Sequence, residues 1–169
     1  MKNLKEFKRL RRIKYTIDIK KGDGIMNKKR VLVPIDGTER SMYALDFVKE
    51  IFPKESNIDL IIMNVKELVL INEMIVSEEV KNAKELGRDI LEAAKEQMKG
   101  YKVQTYFTFG YPAEEIINKA IDEDVGIIVM TQSTKRGLSR MIGSVTTSVV
   151  KKAKCIVMVV PNDFSISLR

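Results

Sequence analysis

Val31-Leu32-Val33-Pro34-Ile35-Asp36-Gly37 (VLVPIDG, residues 31–37) is the stretch on which the fold turns. An apolar, β-branched run broken by Asp-Gly reads as a short buried strand ending in a turn. The Asp side chain can bond its own backbone there, and Gly accepts φ angles closed to other residues. Thr38 then offers an oxygen to the orphan N–H groups of a helix start. Met42, Leu45, Phe47, Val48 and Ile51 recur behind it at helical spacing, and Phe52-Pro53 ends the helix.

Outward from this unit the pattern repeats. Ile58 to Val65 is almost continuously apolar, as in a strand covered on both faces. A helix from Ser77 to about Lys99 carries Val80, Ala83, Leu86 or Gly87, Ile90, Leu91 and Ala94 at the helical period. Val103 to Phe109 alternates as a third strand and stops at Gly110, which serves a positive-φ turn. Pro112 fits the first turn of a helix bearing Ile116, Ile117, Ala120 and Ile121. Gly126 to Met130 reads as the fourth strand, Ser144 to Lys152 as a helix, and Cys155 to Val160 as the fifth strand, closed by Pro161. Five strands alternating with four helices predict an α/β protein: one doubly wound parallel sheet with helices on both faces. Such sheets bind ligands beyond the carboxyl ends of their strands, where the strand order reverses. The residues to inspect are therefore Asp36-Gly37, Val65-Lys66, Gly110-Tyr111 and Thr131 to Ser144.

Composition narrows the chemistry. The 169 residues suit one domain, and 44% apolar with 31% charged residues exclude a disordered tail or a membrane bundle. No apolar run approaches the ~18–20 residues of a spanning helix. With no histidine, Ser-His-Asp catalysis and imidazole metal sites are excluded. Cys155 is the sole cysteine and reads as a small apolar filler of its strand; the scattered methionines, Met63, Met130 and Met158 among them, read as core. A Walker sequence is absent, as are paired carboxylates beside a phosphate loop, so no catalytic residues are assigned; a slow ATPase is the residual enzymatic reading.

The charge is concentrated at one end. Residues 1–25 hold nine basic and three acidic side chains, net +6, whereas the rest of the chain is +1. This extension reads either as a solvated basic tail or, through Leu4, Phe7 and Leu10, as a weak amphipathic helix on a membrane surface. It lacks the apolar core of a secretory signal and the interleaved aromatics of a nucleic-acid binder, so no specific nucleic acid is expected. Lys21-Gly22-Asp23 must be encoded by a purine-rich stretch shortly before the Met26 codon, similar to a bacterial ribosome-binding site. Translation is therefore expected to begin at Met26, with a domain over 26–162 and a tail over 163–169.

Val31 to Ser41 (VLVPIDGTERS), Gly110-Tyr111-Pro112 and Gly137 to Val160 (GLSRMIGSVTTSVVKKAKCIVMVV) together resemble the universal stress protein family, over about Lys29 to Val160. The resemblance implies strand order 3-2-1-4-5, a cytoplasmic stress-response role, and a homodimer through the last strand, here Ile156 to Val160. Some members bind ATP and others do not. In those that bind, the resemblance places adenine and ribose at Pro34, Ile35, Asp36 and Val65, with Gly110 nearby. The phosphates lie against Thr131, Thr134, Arg140, Gly143, Ser144, Val145 and Thr146. Mg2+ would accompany the phosphates through water on Asp36, with no direct protein metal site.

The phosphate loop departs from the family's G-x2-G-x9-G-[S/T]. Thr131 and Thr134 stand where glycines belong, and eight residues instead of nine separate Thr134 from Gly143. Branched side chains fill the space that close backbone approach to phosphate requires. Two readings stay open. An adenine nucleotide binds, helped by Lys135, Arg136 and Arg140, or the protein is a pure interaction module. Gly143-Ser144 survives as a helix start suited to an anion, with Ser144 as a capping residue even when nothing is bound; Thr146, Thr147 and Ser148 line either the ligand or the helix's outer face.

Overall fold

The structure, a computed structural model, describes residues 29–67, 77–132 and 142–161. Strand β1 (Arg30–Pro34) leads into helix α1 (Glu39–Ile51), and a single 3-10 turn over Lys54–Ser56 precedes β2 (Asp59–Lys66). Helix α2 (Ser77–Gln97), β3 (Lys102–Phe109), α3 (Pro112–Asp122), β4 (Ile127–Thr131), α4 (Ser144–Lys152) and β5 (Ile156–Val160) follow. The five strands form one sheet of order β3-β2-β1-β4-β5, every pairing parallel. The element types and the strand order are those expected, with boundaries shifted by one or two residues. The 3-10 turn is additional, closed by Asn57 at φ 51°.

Strand periodicity distributes the core. Val31, Val33 and Ile35 point to one face with Leu60 and Ile62, where Ala44, Leu45 and Val48 of α1 and Leu91 and Ala94 of α2 cover them. Leu32, Ile61, Met63, Ile128 and Met130 point to the other face, against Ile116 and Ala120 of α3 and Val149 of α4. The two crossovers that build β1-β2-β3 thus lie on one side, and those leading to β4 and β5 on the other, as right-handed connections require. Both faces of the central strands are filled; Leu32 is fully buried, and truncating it to Ala would cost about 2–5 kcal/mol.

Particular side chains refine the helical expectations. Gly87, not Leu86, faces the sheet: a Cβ there would lie 2.2 Å from the Phe107 ring, while Leu86 stays exposed. Ile121, expected on the buried face of α3, is 56% exposed: Ile116 and Ala120 hold the sheet-facing positions, and Ile121, one residue past Ala120, falls outside that face. Cys155 precedes β5 by one residue and is half-buried, packed beside Val157 at the edge of the second core.

Candidate functional site

Because all strands run parallel, the segments leaving β1, β2, β3 and β4 emerge along one edge of the sheet. Strands β1 and β4 are neighbours, yet β1 feeds α1 on one face and β4 feeds the segment that leads to α4 on the other. The chain diverges there, which is where a doubly wound sheet places a ligand crevice.

The β1 side of the crevice is a turn held by its own side chains. The exposed Asp36 accepts, through Oδ1, hydrogen bonds from the Thr38 backbone N–H at 3.0 Å and the Thr38 hydroxyl at 2.7 Å. Its own N–H donates to Ser41 Oγ at 3.2 Å. Thr38 caps α1 as expected: its Oγ1 accepts from Ser41 N–H, and the Ser41 hydroxyl donates back to the Thr38 carbonyl at 2.8 Å. Gly37 sits at φ 84°, and a Cβ there would lie 2.5 Å from Ile90 Cδ1 of α2. The turn is therefore shaped by backbone conformation and packed on its underside.

Behind Asp36, Pro34 is half-buried and Ile35 buried; the Ile35 N–H donates to the Met63 carbonyl at 2.8 Å. Val65 lies half-buried two residues further along β2. Gly110 takes φ 152°, and its N–H donates to the Lys66 carbonyl at 3.1 Å. A Cβ there would lie 2.7 Å from Glu115 Oε1, so glycine meets both a conformational and a steric need.

On the β4 side, Thr131 is buried, and the Gly143 N–H donates to the Gln132 carbonyl at 2.9 Å, closing the base of the connection. Ser144 is not the N-cap. Gly143 occupies that position without a side-chain capping bond, and Ser144 is the first helical residue. Gly143 brings no capping side chain of its own to the first-turn amides of α4, whose partial positive charge can complement an anion. Val145 is half-buried beside them. Thr146 does not lie on the outer face: it is buried, and its single hydroxyl proton is shared between the carbonyls of Thr131 at 3.1 Å and Gln132 at 3.0 Å. That hydroxyl is already committed to the fold, leaving the Thr146 backbone as its contribution to an anion site. Thr134, Lys135, Arg136 and Arg140 lie outside the described residues, as do the basic extension and the C-terminal tail.

The residues present fit an adenine nucleotide in kind. A helix start with glycine at its N-cap suits phosphate, a carboxylate suits ribose hydroxyls or a hydrated cation, and strand-end backbone suits a base. Among the described residues, no cluster of three or more carboxylate or thiol groups could hold a metal directly, and no helix is long and apolar enough to cross a membrane.

Two residues that build this edge escaped the sequence reading. Asn64 is buried in β2 and donates from Nδ2 to the Ile35 carbonyl at 2.8 Å; its signal was one amide inside an apolar strand. Ser41 is buried although it sits in the first turn of α1, and only its place three residues after Thr38 hinted at the reciprocal bond.

The fold is that of a doubly wound α/β protein whose strand order reverses between β1 and β4. The Universal stress protein family profile matches residues 27–161, and the chain belongs to that family. It is 33% identical over 145 residues to the universal stress protein YxiE of Bacillus subtilis, covering 78% of this chain and 97% of the relative. It is 32% identical over 154 residues to the universal stress protein MJ0577 of Methanocaldococcus jannaschii, covering 78% of this chain and 94% of that one. The solved structure of MJ0577 superposes with TM-score 0.59 over 82% of this chain and 99% of that one. A universal stress protein solved in complex with cAMP shares the fold at 23% identity and TM-score 0.61, over 79% of this chain and 96% of that one.

Proposed function

We propose that this protein is a cytoplasmic stress-response regulator that binds an adenine nucleotide at the β1/β4 divergence and acts as a homodimer without catalytic turnover. The observation that carries the reading is the start of α4, whose N-cap is the glycine Gly143 with no capping side chain of its own and which is tied to the end of β4 beside the strand feeding the Asp36 turn. In this reading Pro34, Ile35, Asp36 and Val65 receive the base and ribose, and Gly143, Ser144, Val145 and Thr146 receive the phosphates through backbone N–H groups. Asp36 holds any accompanying Mg2+ through water. The family relative solved with cAMP supports an adenine ligand as the class to test first.

The homodimer is proposed through β5, an edge strand whose Ile156 is 38% exposed. An open apolar edge is an aggregation hazard that pairing removes. A strictly monomeric sedimentation profile would refute that pairing.

A second reading is favoured by Thr131. It is buried where related phosphate loops carry glycine, and its branched side chain fills space that a phosphate would need. On that reading the protein is an interaction module without nucleotide.

Calorimetric titration with ATP separates the two. Binding to the wild type that weakens at least tenfold in Asp36→Ala supports the first reading; no heat with ATP, ADP or AMP leaves the second.

A further inference from the structure

We propose that Asn64 is a positioning residue of this site, locking the chain that presents Asp36 to the backbone that presents Val65. The inference rests on the nucleotide reading above and names a residue outside its contact set.

The geometry is specific. Asn64 is 4% exposed and lies in β2 immediately before Val65. Its Nδ2 donates to the Ile35 carbonyl at 2.8 Å, on the peptide that joins Ile35 to Asp36. The backbone ladder between β1 and β2 makes its last bond from Ile35 N–H to the Met63 carbonyl. The Asn64 side chain adds one rung beyond it, at the point where the chain leaves the sheet. Rotation of the Ile35–Asp36 peptide would swing Asp36 away from the crevice, and that rotation would break a buried hydrogen bond.

The amide is itself wedged. Its Oδ1 lies 3.1 Å from where a Cβ of Gly87 would stand, with the Phe107 ring closing the same space, so α2 leaves it little room to turn. Ile90, one helical turn along α2, packs under Gly37. The same helix therefore braces the Asp36 turn twice, once by direct contact and once through Asn64. Asp36 and Val65 then move as one unit, which keeps the geometry between ribose and base contacts fixed before ligand arrives.

Two measurements on the full chain test this. In the wild type, the Asn64 side-chain amide protons should exchange far more slowly than a free amide and should shift in NMR spectra when ATP is added. Asn64→Leu keeps the volume and removes the donor. It should weaken ATP binding roughly tenfold and speed backbone exchange at Asp36 and Thr38 at least tenfold, leaving Leu32 and Ile128 at wild-type rates. A merely structural role would raise exchange across the whole sheet. Wild-type rates at Asp36 and Thr38 in a folded Asn64→Leu protein would overturn the proposal. If that variant does not fold, the wild-type side chain decides: exchange at the free-amide rate overturns it equally. Failure of the wild type to bind ATP defeats the nucleotide reading alone, and the exchange contrast still decides whether Asn64 holds the turn.

Discussion

The Thr146 hydroxyl reaches the carbonyl of Thr131 at 3.1 Å, joining the first turn of α4 to the last residue of β4. A second bond, to the Gln132 carbonyl at 3.0 Å, makes the hydroxyl a bridge between consecutive peptides. The start of α4 is thus fixed to the end of β4 by a side chain as well as by the Gly143–Gln132 backbone bond.

Thr146→Val removes this bridge while keeping the branched shape. Buried carbonyls lose a donor, and the variant should be less stable by about 1–2 kcal/mol in urea unfolding. Thr146→Ser, which keeps the hydroxyl, should recover most of the loss. Equal stabilities of the valine and serine variants would show that the bridge contributes nothing.

Thr131→Gly combined with Thr134→Gly restores the residue type that lets backbone approach phosphate. If nucleotide binds, the double variant should bind ATP more tightly than the wild type by calorimetry. Unchanged or absent binding would count against branched side chains as the obstacle.

Gly37→Ala places a Cβ at φ 84° and against Ile90. The left-handed conformation alone costs an L-residue about 1–2 kcal/mol, and the contact adds to it. Thermal unfolding should report that loss. It should exceed the effect of alanine at Gly126, for which no positive φ is found.

Glu123 should contribute to the pH dependence of stability. Its hydrogen bond with Lys119 at 2.9 Å holds the carboxyl below the ordinary glutamate range, with Arg30 at 3.1 Å acting in the same direction. Lys119 also lies 4.0 Å from the centroid of the Tyr106 ring, so the pair ties α3 to β3. A carboxyl with a depressed folded pKa stabilises the fold above its unfolded pKa, and that contribution is lost as pH falls through the folded value. Glu123→Gln should therefore lower stability at neutral pH and flatten its decline in acid. With no histidine in the chain, wild-type stability should change little between about pH 6 and 8.

The sheet was legible because burial on both faces writes itself into β1 and β2 as unbroken apolar runs, and Gly37, Gly110 and Pro112 punctuate them. Thr38 was legible as a cap because capping is a local event. What stayed hidden depended on partners distant in sequence. Thr146 reads as an outward hydroxyl until Thr131 and Gln132 are brought beside it. Asn64 reads as an interruption of β2 until the Ile35 carbonyl arrives from β1. The register of α2 was ambiguous between Leu86 and Gly87 because a helix face that accommodates an aromatic ring from the sheet favours the residue without a side chain. The capping role assigned to Ser144 failed by one residue, which is the ordinary uncertainty of a helix start.

The central claim is that the crevice between the Asp36 turn and the Gly143–Ser144 helix start is a nucleotide site. The most direct measurement is mass analysis of the small molecules released when protein purified under native conditions, without added ligand, is denatured. The account predicts an adenine nucleotide in a fixed ratio to protein, diminished in Asp36→Ala. Release of none, together with no binding of ATP, ADP or AMP to the same preparation, would contradict it.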